Sequence, residues 1–367
     1  MAMPRLNDEL YMKMALRLAQ GGLGNTSPNP MVGALIVKGG KIIGQGYHRR
    51  FGGPHAEINA ISDAEGDLNG ATLYVTLEPC CHKGKKTPPC LDTLLKYNWK
   101  RVVVGTIDPN PRVNGKSIEI LKQKGIETKV GVLQEECRRL NEAYFKYIQT
   151  GIPFVTLKFA QTLDGRIATS AGDSRWISSE PSLKWAHRLR SLHDAVLVGV
   201  GTVLKDDPQL TVRLVKGRNP LRIVADSRLR IPLDSKILKD PETAPIVIAA
   251  TSQADIEQAF ALNIMGIDVL TVGEDSEGMV DLKDLLRKLG KKNISSVLVE
   301  GGASTITSFI RLGLADKVIS IVAPKIMGKG VEVVGELGIL KVGRALKLSF
   351  DRVYRKGDDL IVEASIG

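Results

Sequence analysis

The sequence predicts an α/β chain of two domains, and three observations carry that expectation. The chain has 367 residues, about twice what one domain holds at roughly 100–200 residues each. Short apolar runs such as Leu73–Leu77, Val102–Thr106 and Ala195–Gly199 alternate with helix-length amphipathic stretches, the pattern of a largely parallel sheet flanked by helices. Between the two series, Thr150-Gly151-Ile152-Pro153 sets a glycine stop just before a proline. The domains are therefore expected at residues 1–150 and 151–367.

The first series opens with a helix over Asp8–Gln20, then the turn Pro28-Asn29-Pro30 and strands at Val32–Lys38 and Lys41–Tyr47. A helix should begin near His55. Leu73–Leu77 and Val102–Thr106 are mostly apolar at strand length, as in strands buried on both faces. Helices are expected at Leu91–Tyr97, Ser117–Lys124 and Gln134–Gln149, with a short strand at Glu127–Val132. The second series reads as a strand at Phe154–Ala160, a helix at Ser182–Ser191, and strands at Ala195–Gly199, Arg222–Ala225, Pro245–Ala250, Asp268–Val272, Val297–Val299 and Lys317–Val322.

Composition narrows the function classes. The apolar share is 43% and the charged share 25%, ordinary for a globular enzyme and far from a disordered or collagen-like chain. No apolar run reaches the roughly 18 residues a membrane helix needs, and the start lacks the apolar stretch of an export signal. The expectation is a cytoplasmic protein without a membrane partner. A net charge of +11 suits a phosphate-bearing partner. It is spread along the chain, and aromatics are only 5%, too few for a protein that stacks on single-stranded bases. A phosphorylated small molecule is favoured over nucleic acid.

Of the four cysteines, Cys80, Cys81 and Cys90 fall within eleven residues. Clustered thiols without an export signal point to metal binding or catalysis and away from disulfides. Cys137, on the Gln134–Gln149 helix, reads as a packing residue. His55-Ala56-Glu57 opens one predicted helix, Cys80 follows a strand through Glu78-Pro79, and Cys90 opens another helix. Helix N-termini favour thiolate, the metal-binding form. His55, Cys80 and Cys90 would leave tetrahedral zinc a position for water, and Glu57 would sit beside it as proton acceptor and donor. Two blander readings stay open: a closed structural site completed by Cys81 or His82, or buried thiols with a capping histidine.

The second half has no Gly-x-Gly-x-x-Gly after a strand. It does have Val297–Glu300 running into Gly301-Gly302-Ala303-Ser304-Thr305 and a helix, where backbone N–H groups can meet an anion. Glycines serve tight turns equally well. Polar residues gather around Asp164, Ser174, Trp176, Arg190, Thr202, Asp206 and Arg213; Arg190 and Arg213 can reach a cleft at the sheet ends, and Trp176 fits core or ligand contact equally.

His-Ala-Glu followed by Pro-Cys and a further Cys resembles the zinc-dependent cytidine/deoxycytidylate deaminase superfamily. The departure is spacing: nine residues separate Cys80 from Cys90, where the superfamily signature has two. Together with Thr26-Ser27-Pro28-Asn29-Pro30-Met31-Val32-Gly33, Thr76-Leu77-Glu78-Pro79-Cys80, Thr87-Pro88-Pro89-Cys90, Asp108-Pro109-Asn110-Pro111, Lys158-Phe159-Ala160, Leu163-Asp164-Gly165, Thr202-Val203-Leu204, Asp206-Asp207-Pro208 and Val299-Glu300-Gly301-Gly302, the chain resembles the bifunctional deaminase/reductase family of riboflavin biosynthesis along nearly its whole length. The loop around Lys83–Lys86 is one residue longer than the usual family spacing.

The resemblance implies a cytidine-deaminase-like three-layer α/β/α domain followed by a dihydrofolate-reductase-like α/β domain. The first would deaminate 2,5-diamino-6-ribosylamino-4(3H)-pyrimidinone 5′-phosphate with zinc on His55, Cys80 and Cys90, Glu57 as catalytic residue and Asn29 on the pyrimidine. The second would use NADPH to reduce ribosyl to ribityl, giving 5-amino-6-ribitylaminouracil 5′-phosphate. The family pattern places the cofactor against Ala160, Trp176, Thr202, Asp206 and Ser227, with Gly302, Ala303, Ser304, Thr305, Ile306, Thr307 and Ser308 near its phosphates. Substrate would meet Ser174, Arg190, Leu210, Arg213 and Glu300, with Asp206 or Lys158 as proton donor. A homo-oligomer is expected. The rival readings are a nucleic-acid or free-nucleotide deaminase with a non-catalytic second domain, and a structural protein with a dead zinc site, although a dead site has no chemical need for Glu57.

Overall fold

The structure, a computed structural model, describes residues 8–84 and 87–367. It divides into two compact units, Met1–Gly151 and Ile152–Gly367. At the junction Gly151 caps a helix with φ of 70°, a left-handed conformation that glycine adopts without a Cβ penalty. Of the lengthened loop around Lys83–Lys86, Lys85 and Lys86 lie outside the described residues, as does the chain start over residues 1–7.

The first unit runs α1 (Asp8–Ala19), β1 (Gly33–Lys38), β2 (Lys41–Tyr47), α2 (Ala56–Asp63), β3 (Thr72–Leu77), α3 (Cys90–Leu94), β4 (Arg101–Thr106), α4 (Lys116–Gln123), β5 (Glu127–Val130), α5 (Gln134–Leu140) and α6 (Glu142–Thr150). Its sheet has the order β2-β1-β3-β4-β5, with β1 antiparallel to both neighbours and β3, β4 and β5 parallel. Strand alternation divides the core in two. Ala34, Ile36, Leu73, Val75, Val102 and Val104 pack against α2, α3, α4 and α6. Leu35, Val37, Tyr74 and Val103 face α1 and α5. The result is a three-layer α/β/α sandwich.

The structure corrects two elements of the sequence reading. The helix expected at Leu91–Tyr97 is the shorter α3, starting at Cys90. The single helix expected at Gln134–Gln149 is broken at Asn141. Its side chain accepts from the Met31 N–H at 2.7 Å and donates to the Met31 carbonyl at 2.8 Å. These tertiary bonds pull Asn141 to φ −120°, ψ 24° and clamp the strand entrance behind Asn29.

The second unit runs β6 (Phe154–Thr162), β7 (Arg166–Thr169), α7 (Glu180–Leu192), β8 (Ala195–Gly199), α8 (Val200–Asp206), β9 (Leu221–Ala225), β10 (Ile246–Ala250), α9 (Ile256–Ile264), β11 (Asp268–Thr271), α10 (Leu282–Lys291), β12 (Ser296–Val299), α11 (Ala303–Arg311), β13 (Lys317–Ala323), β14 (Gly330–Glu332), β15 (Leu348–Lys356) and β16 (Asp359–Ile366). Nine strands form one sheet in the order β11-β10-β9-β8-β12-β6-β13-β16-β15. From β11 to β13 the pairs are parallel. The β15–β16 hairpin, absent from the sequence reading, adds an antiparallel end. Helices α10 and α11 bury their apolar sides on one face with Leu157, Leu197 and Val299. On the other face α8 and α9 contribute to a cluster with Val198, Val224 and Ile248, and α7 packs on Leu298, Ile319 and Ile321. Among the described residues no helix is long and apolar enough to cross a membrane.

Candidate functional site

In the first unit the turn after β3 is held from below. Glu78 is 3% exposed, and its carboxylate accepts from the N–H groups of Asp108 (3.3 Å), Gly115 (2.8 Å) and Ser117 (3.0 Å). The Ser117 hydroxyl donates to the Pro79 carbonyl. Pro79 and Cys80 are thereby fixed at the end of a central strand, where open α/β sheets place their ligands. His55 is the N-cap residue of α2, and Cys90 is the first residue of α3.

These three side chains converge. The His55 Nδ1 lies 3.5 Å from Cys80 Sγ and 3.3 Å from Cys90 Sγ, and all three ligand atoms fall within 4.8 Å of one another. The Cys90 N–H donates to Cys80 Sγ at 3.3 Å. The hydrogen bond to Cys90 pulls the Cys80 thiol well below the usual thiol range, with His55 assisting despite burial. One imidazole and two thiols are a zinc donor set, so the residues present fit the metal. Cys81 Sγ instead faces the Arg112 carbonyl at 3.8 Å, and among the described residues neither Cys81 nor His82 joins the three. The arrangement is that of an open site, against the closed structural alternative.

Glu57, in the first turn of α2, is 3% exposed. Burial, with the nearby Cys80 sulfur adding to it, pushes its carboxyl above the usual carboxylate range. Asn29 Nδ2 lies 3.4 Å from His48 Nε2, while His48 Nδ1 is 3.0 Å from the Pro54 carbonyl. With Nδ1 donating to that carbonyl, Nε2 is an acceptor and the Asn29 amide is oriented. The His48 ring stacks edge-on to His55 at 5.1 Å. Cys137 is fully buried beside Gly105, where a Cβ would collide with its sulfur. Burial drives its thiol up to about 12, consistent with packing.

In the second unit a cavity of about 580 Å³ gathers Ser174, Trp176, Arg190, Asp206, Leu210 and Arg213, together with Lys158, Arg175 and His187. Glu300 lies behind them, 6% exposed at its side chain. It accepts from Arg190 Nε at 2.6 Å, Arg190 Nη2 at 3.0 Å and Lys158 Nζ at 3.4 Å. Burial alone would raise its carboxyl, but the two cations overcome that and hold it at about 2. Trp176 is 66% exposed, which removes the core reading. The guanidinium of the wholly buried Arg222 donates to the carbonyls of Gln209, Lys239 and Ala244, pinning the loop that carries Leu210.

Ala160, Thr202, Ser227, Glu300 and residues 302–308 do not line this cavity. Thr202 Oγ1 accepts from the Gly302 N–H at 3.2 Å, bringing the turns after β8 and β12 together. Thr305 packs where a Cβ on Gly199 or Gly301 would stand, at 2.7 Å and 2.6 Å from its atoms, a glycine cradle below the first turn of α11. That helix has no side-chain N-cap, so its leading N–H groups suit a phosphate.

Within the block Gly302–Ser308 the side chains divide between core and surface. Ile306 is wholly buried in the core and Thr307 is 5% exposed. The Thr307 hydroxyl donates to the Ala303 carbonyl at 2.6 Å and accepts from the Gly335 N–H at 2.8 Å. The helical period turns both side chains away from an anion at the helix start. Ser308 donates to the Ser304 carbonyl at 3.0 Å. The Ser227 hydroxyl already accepts from the Val280 N–H at 3.0 Å.

His187 was not singled out by the sequence reading, although it precedes Arg190 by one helical turn on the same face. Its Nδ1 accepts from the Arg213 N–H at 3.0 Å. Burial, then Arg190 and Arg213, push the ring down to about 4 from an ordinary 6.5, against the nearby Glu300. Folded, it is neutral; unfolded, it takes up a proton below that ordinary value. Stability is therefore expected to fall as pH drops from 6.5 towards 4. His187→Phe should flatten that decline in a pH series of thermal unfolding.

The comparisons with known proteins agree with this geometry. Residues 5–106 match the family described as cytidine and deoxycytidylate deaminase zinc-binding region, and residues 153–362 the RibD C-terminal domain. The riboflavin biosynthesis protein RibD of Aquifex aeolicus is 48% identical over 97% of both chains, and that of Escherichia coli is 38% identical over 97% of this chain and 98% of its own. The solved structure of Acinetobacter baumannii RibD is 37% identical with a TM-score of 0.87, covering 98% of this chain and 99% of that one. A diaminohydroxyphosphoribosylaminopyrimidine deaminase/5-amino-6-(5-phosphoribosylamino)uracil reductase from Thermotoga maritima is 40% identical with a TM-score of 0.85 and the same coverage. The chain belongs to the RibD family of bifunctional riboflavin-biosynthesis enzymes.

Proposed function

We propose that the chain first deaminates 2,5-diamino-6-ribosylamino-4(3H)-pyrimidinone 5′-phosphate, then reduces the ribosyl side chain with NADPH to give 5-amino-6-ribitylaminouracil 5′-phosphate. The observation that carries this is a three-donor metal group with a buried carboxyl beside it, in a chain whose other half holds a cationic cavity and a glycine-cradled helix start. His55, Cys80 and Cys90 hold zinc. Bound there, zinc supplies Lewis acidity that brings the pKa of a water down to about 7. Glu57 takes a proton from the attacking water and delivers it to the departing amine, so C–NH2 and H2O become C=O and NH3. Asn29, oriented by His48, holds the pyrimidine ring in register.

In the second unit the first turn of α11, over Gly302–Ser304, receives cofactor phosphate, and Trp176, Thr202 and Asp206 lie along the cofactor's path. NADPH supplies the hydride. Arg190 and Arg213 hold the substrate 5′-phosphate, to which guanidinium forks are matched. The sugar opens to an imine; its C=N carbon gains hydride, and Lys158, whose Nζ is turned to Glu300, protonates the nitrogen. The four free cysteines, two of them needed as thiolates, suit the reducing cytoplasm, and the chain acts there as a homo-oligomer.

The test supplies the diamino pyrimidine phosphate and follows ammonia release and NADPH absorbance separately. One ammonia and one NADPH per substrate is the expected outcome. Ammonia without NADPH loss would leave only the deaminase standing. Uracil or inosine formed in RNA or DNA, with no turnover of the free nucleotide, would overturn the substrate class.

A further inference from the structure

Both ring nitrogens of His55 are engaged. Nδ1 lies 3.5 Å from Cys80 Sγ and 3.3 Å from Cys90 Sγ, and Nε2 lies 3.3 Å from Thr87 Oγ1. Thr87 is not one of the three metal donors. It belongs to the loop between Cys80 and Cys90, where nine residues stand in place of the two of the superfamily signature. That length gives the chain room to cross back over His55 before it reaches Cys90.

The segment Thr87-Pro88-Pro89-Cys90 is stiff. Each proline fixes its own φ, and a residue before proline is confined to extended conformations. Pro89 has φ −58° and ψ 135°, close to polyproline II. The Cys90 end of this arm is anchored: the Cys90 N–H donates to Cys80 Sγ at 3.3 Å, and the Leu91 N–H donates to the Cys80 carbonyl at 3.2 Å. One rigid tetrapeptide therefore meets the imidazole at both nitrogens, with a sulfur at one and a hydroxyl at the other.

An imidazole that binds a metal through Nδ1 carries its proton on Nε2, so Thr87 Oγ1 is the acceptor of that bond. Metal-binding histidines commonly give their second N–H to a carboxylate, a carbonyl or water, which sets the orientation of the ring. A hydroxyl does the same without a charge. Cysteine binds metal as thiolate, and two thiolates already match the double positive charge of zinc. A neutral acceptor aims the ring without adding negative charge to the site.

We infer that Thr87 is a positioning residue of the zinc site: its hydroxyl accepts the Nε2–H of His55, fixes the ring with Nδ1 towards the two sulfurs, and so sets metal affinity. The inference rests on the reading of His55, Cys80 and Cys90 as zinc donors and extends it to the residue behind them.

Chelator competition for zinc on the purified full-length protein tests it. Thr87→Val keeps the shape of the side chain and removes the acceptor. Its zinc affinity should fall about 10–100-fold, the usual cost of losing a partner of a metal ligand. Thr87→Ser keeps the hydroxyl and should retain most of the affinity. In NMR spectra of the zinc-loaded wild type the His55 Nε2–H should exchange slowly with water, and in Thr87→Val rapidly. NADPH oxidation with the uracil substrate should be unchanged in both variants. Unchanged zinc affinity in Thr87→Val, or an equal loss in Thr87→Ser, would overturn the role of the hydroxyl and leave the zinc donors standing. Should Thr87→Val fail to fold, the exchange measurement on the wild type decides, and a rapidly exchanging Nε2–H overturns the inference. A wild type that binds no zinc would remove the donor set itself, and this inference with it.

Discussion

Glu57→Gln should abolish deamination while leaving zinc in place. Gln keeps the size of the side chain and can still hydrogen-bond, but it cannot take a proton from water and pass it to an amine. A positioned general acid–base group is worth about 10²–10⁴-fold. In the proposed mechanism Glu57 serves both the attack and the departure of ammonia, so the loss is expected at the upper end, about 10³–10⁴-fold. The metal should remain, since the three donors proposed for it are His55, Cys80 and Cys90 and the carboxyl is not one of them. NADPH consumption with the already deaminated substrate should be unchanged, because that chemistry belongs to the other unit. The measurements are ammonia release, zinc content of the purified variant and NADPH oxidation with the uracil substrate. Undiminished ammonia release would remove Glu57 from the mechanism. Zinc lost together with activity would make the carboxyl a support of the metal site instead of a proton carrier.

The convergence of His55, Cys80 and Cys90 was legible because its signals are local. His55 and Glu57 share one helix start, and Cys80 and Cys90 stand at the ends of apolar or proline-marked runs, so pattern and chemistry coincide within a short stretch. Asn141 was not legible. Gln134–Gln149 is amphipathic throughout, and the break comes from bonds to Met31, 110 residues away in sequence, which no helical period encodes. The block Gly302–Ser308 was legible only as one unit: the 3.6-residue period, which sends the side chains of Ile306 and Thr307 inward, divides it. His187 drew no attention because a single histidine on a helix is usually a packing residue. Its role depends on where Arg213 ends up. The β15–β16 hairpin escaped because edge strands alternate weakly, and nearly every residue of β15 is at least partly exposed. The parallel strands, buried on both faces, were easier to find for the same physical reason.

Glu300→Gln should be the most damaging single change in the reductase half. Arg190 and Glu300 are 110 residues apart in sequence yet joined by two bonds of 2.6 Å and 3.0 Å, and Lys158 meets the same carboxylate at 3.4 Å. A carboxylate presents acceptors on both oxygens; a carboxamide must turn an NH2 towards either the guanidinium or the ammonium. One cation then loses its partner, and removing one member of a buried ion pair is far costlier than the net worth of the pair. Arg190 would no longer hold its fork in place for the proposed phosphate contact, and Lys158 would lose the anchor of its Nζ. The expected result is about a hundredfold loss of kcat/KM for reduction, or ~2.7 kcal/mol at 1.36 kcal/mol per decade. Deamination in the same variant should be retained, and an unchanged circular dichroism spectrum checks that the second unit has folded. Glu300→Asp keeps the charge on a shorter stem and should recover part of the loss, mainly in KM, a recovery that a role in folding alone would not produce. Full reductase activity in Glu300→Gln would mean that Arg190 and Lys158 keep their places without the carboxylate, and the assignment of all three residues to one site would fall.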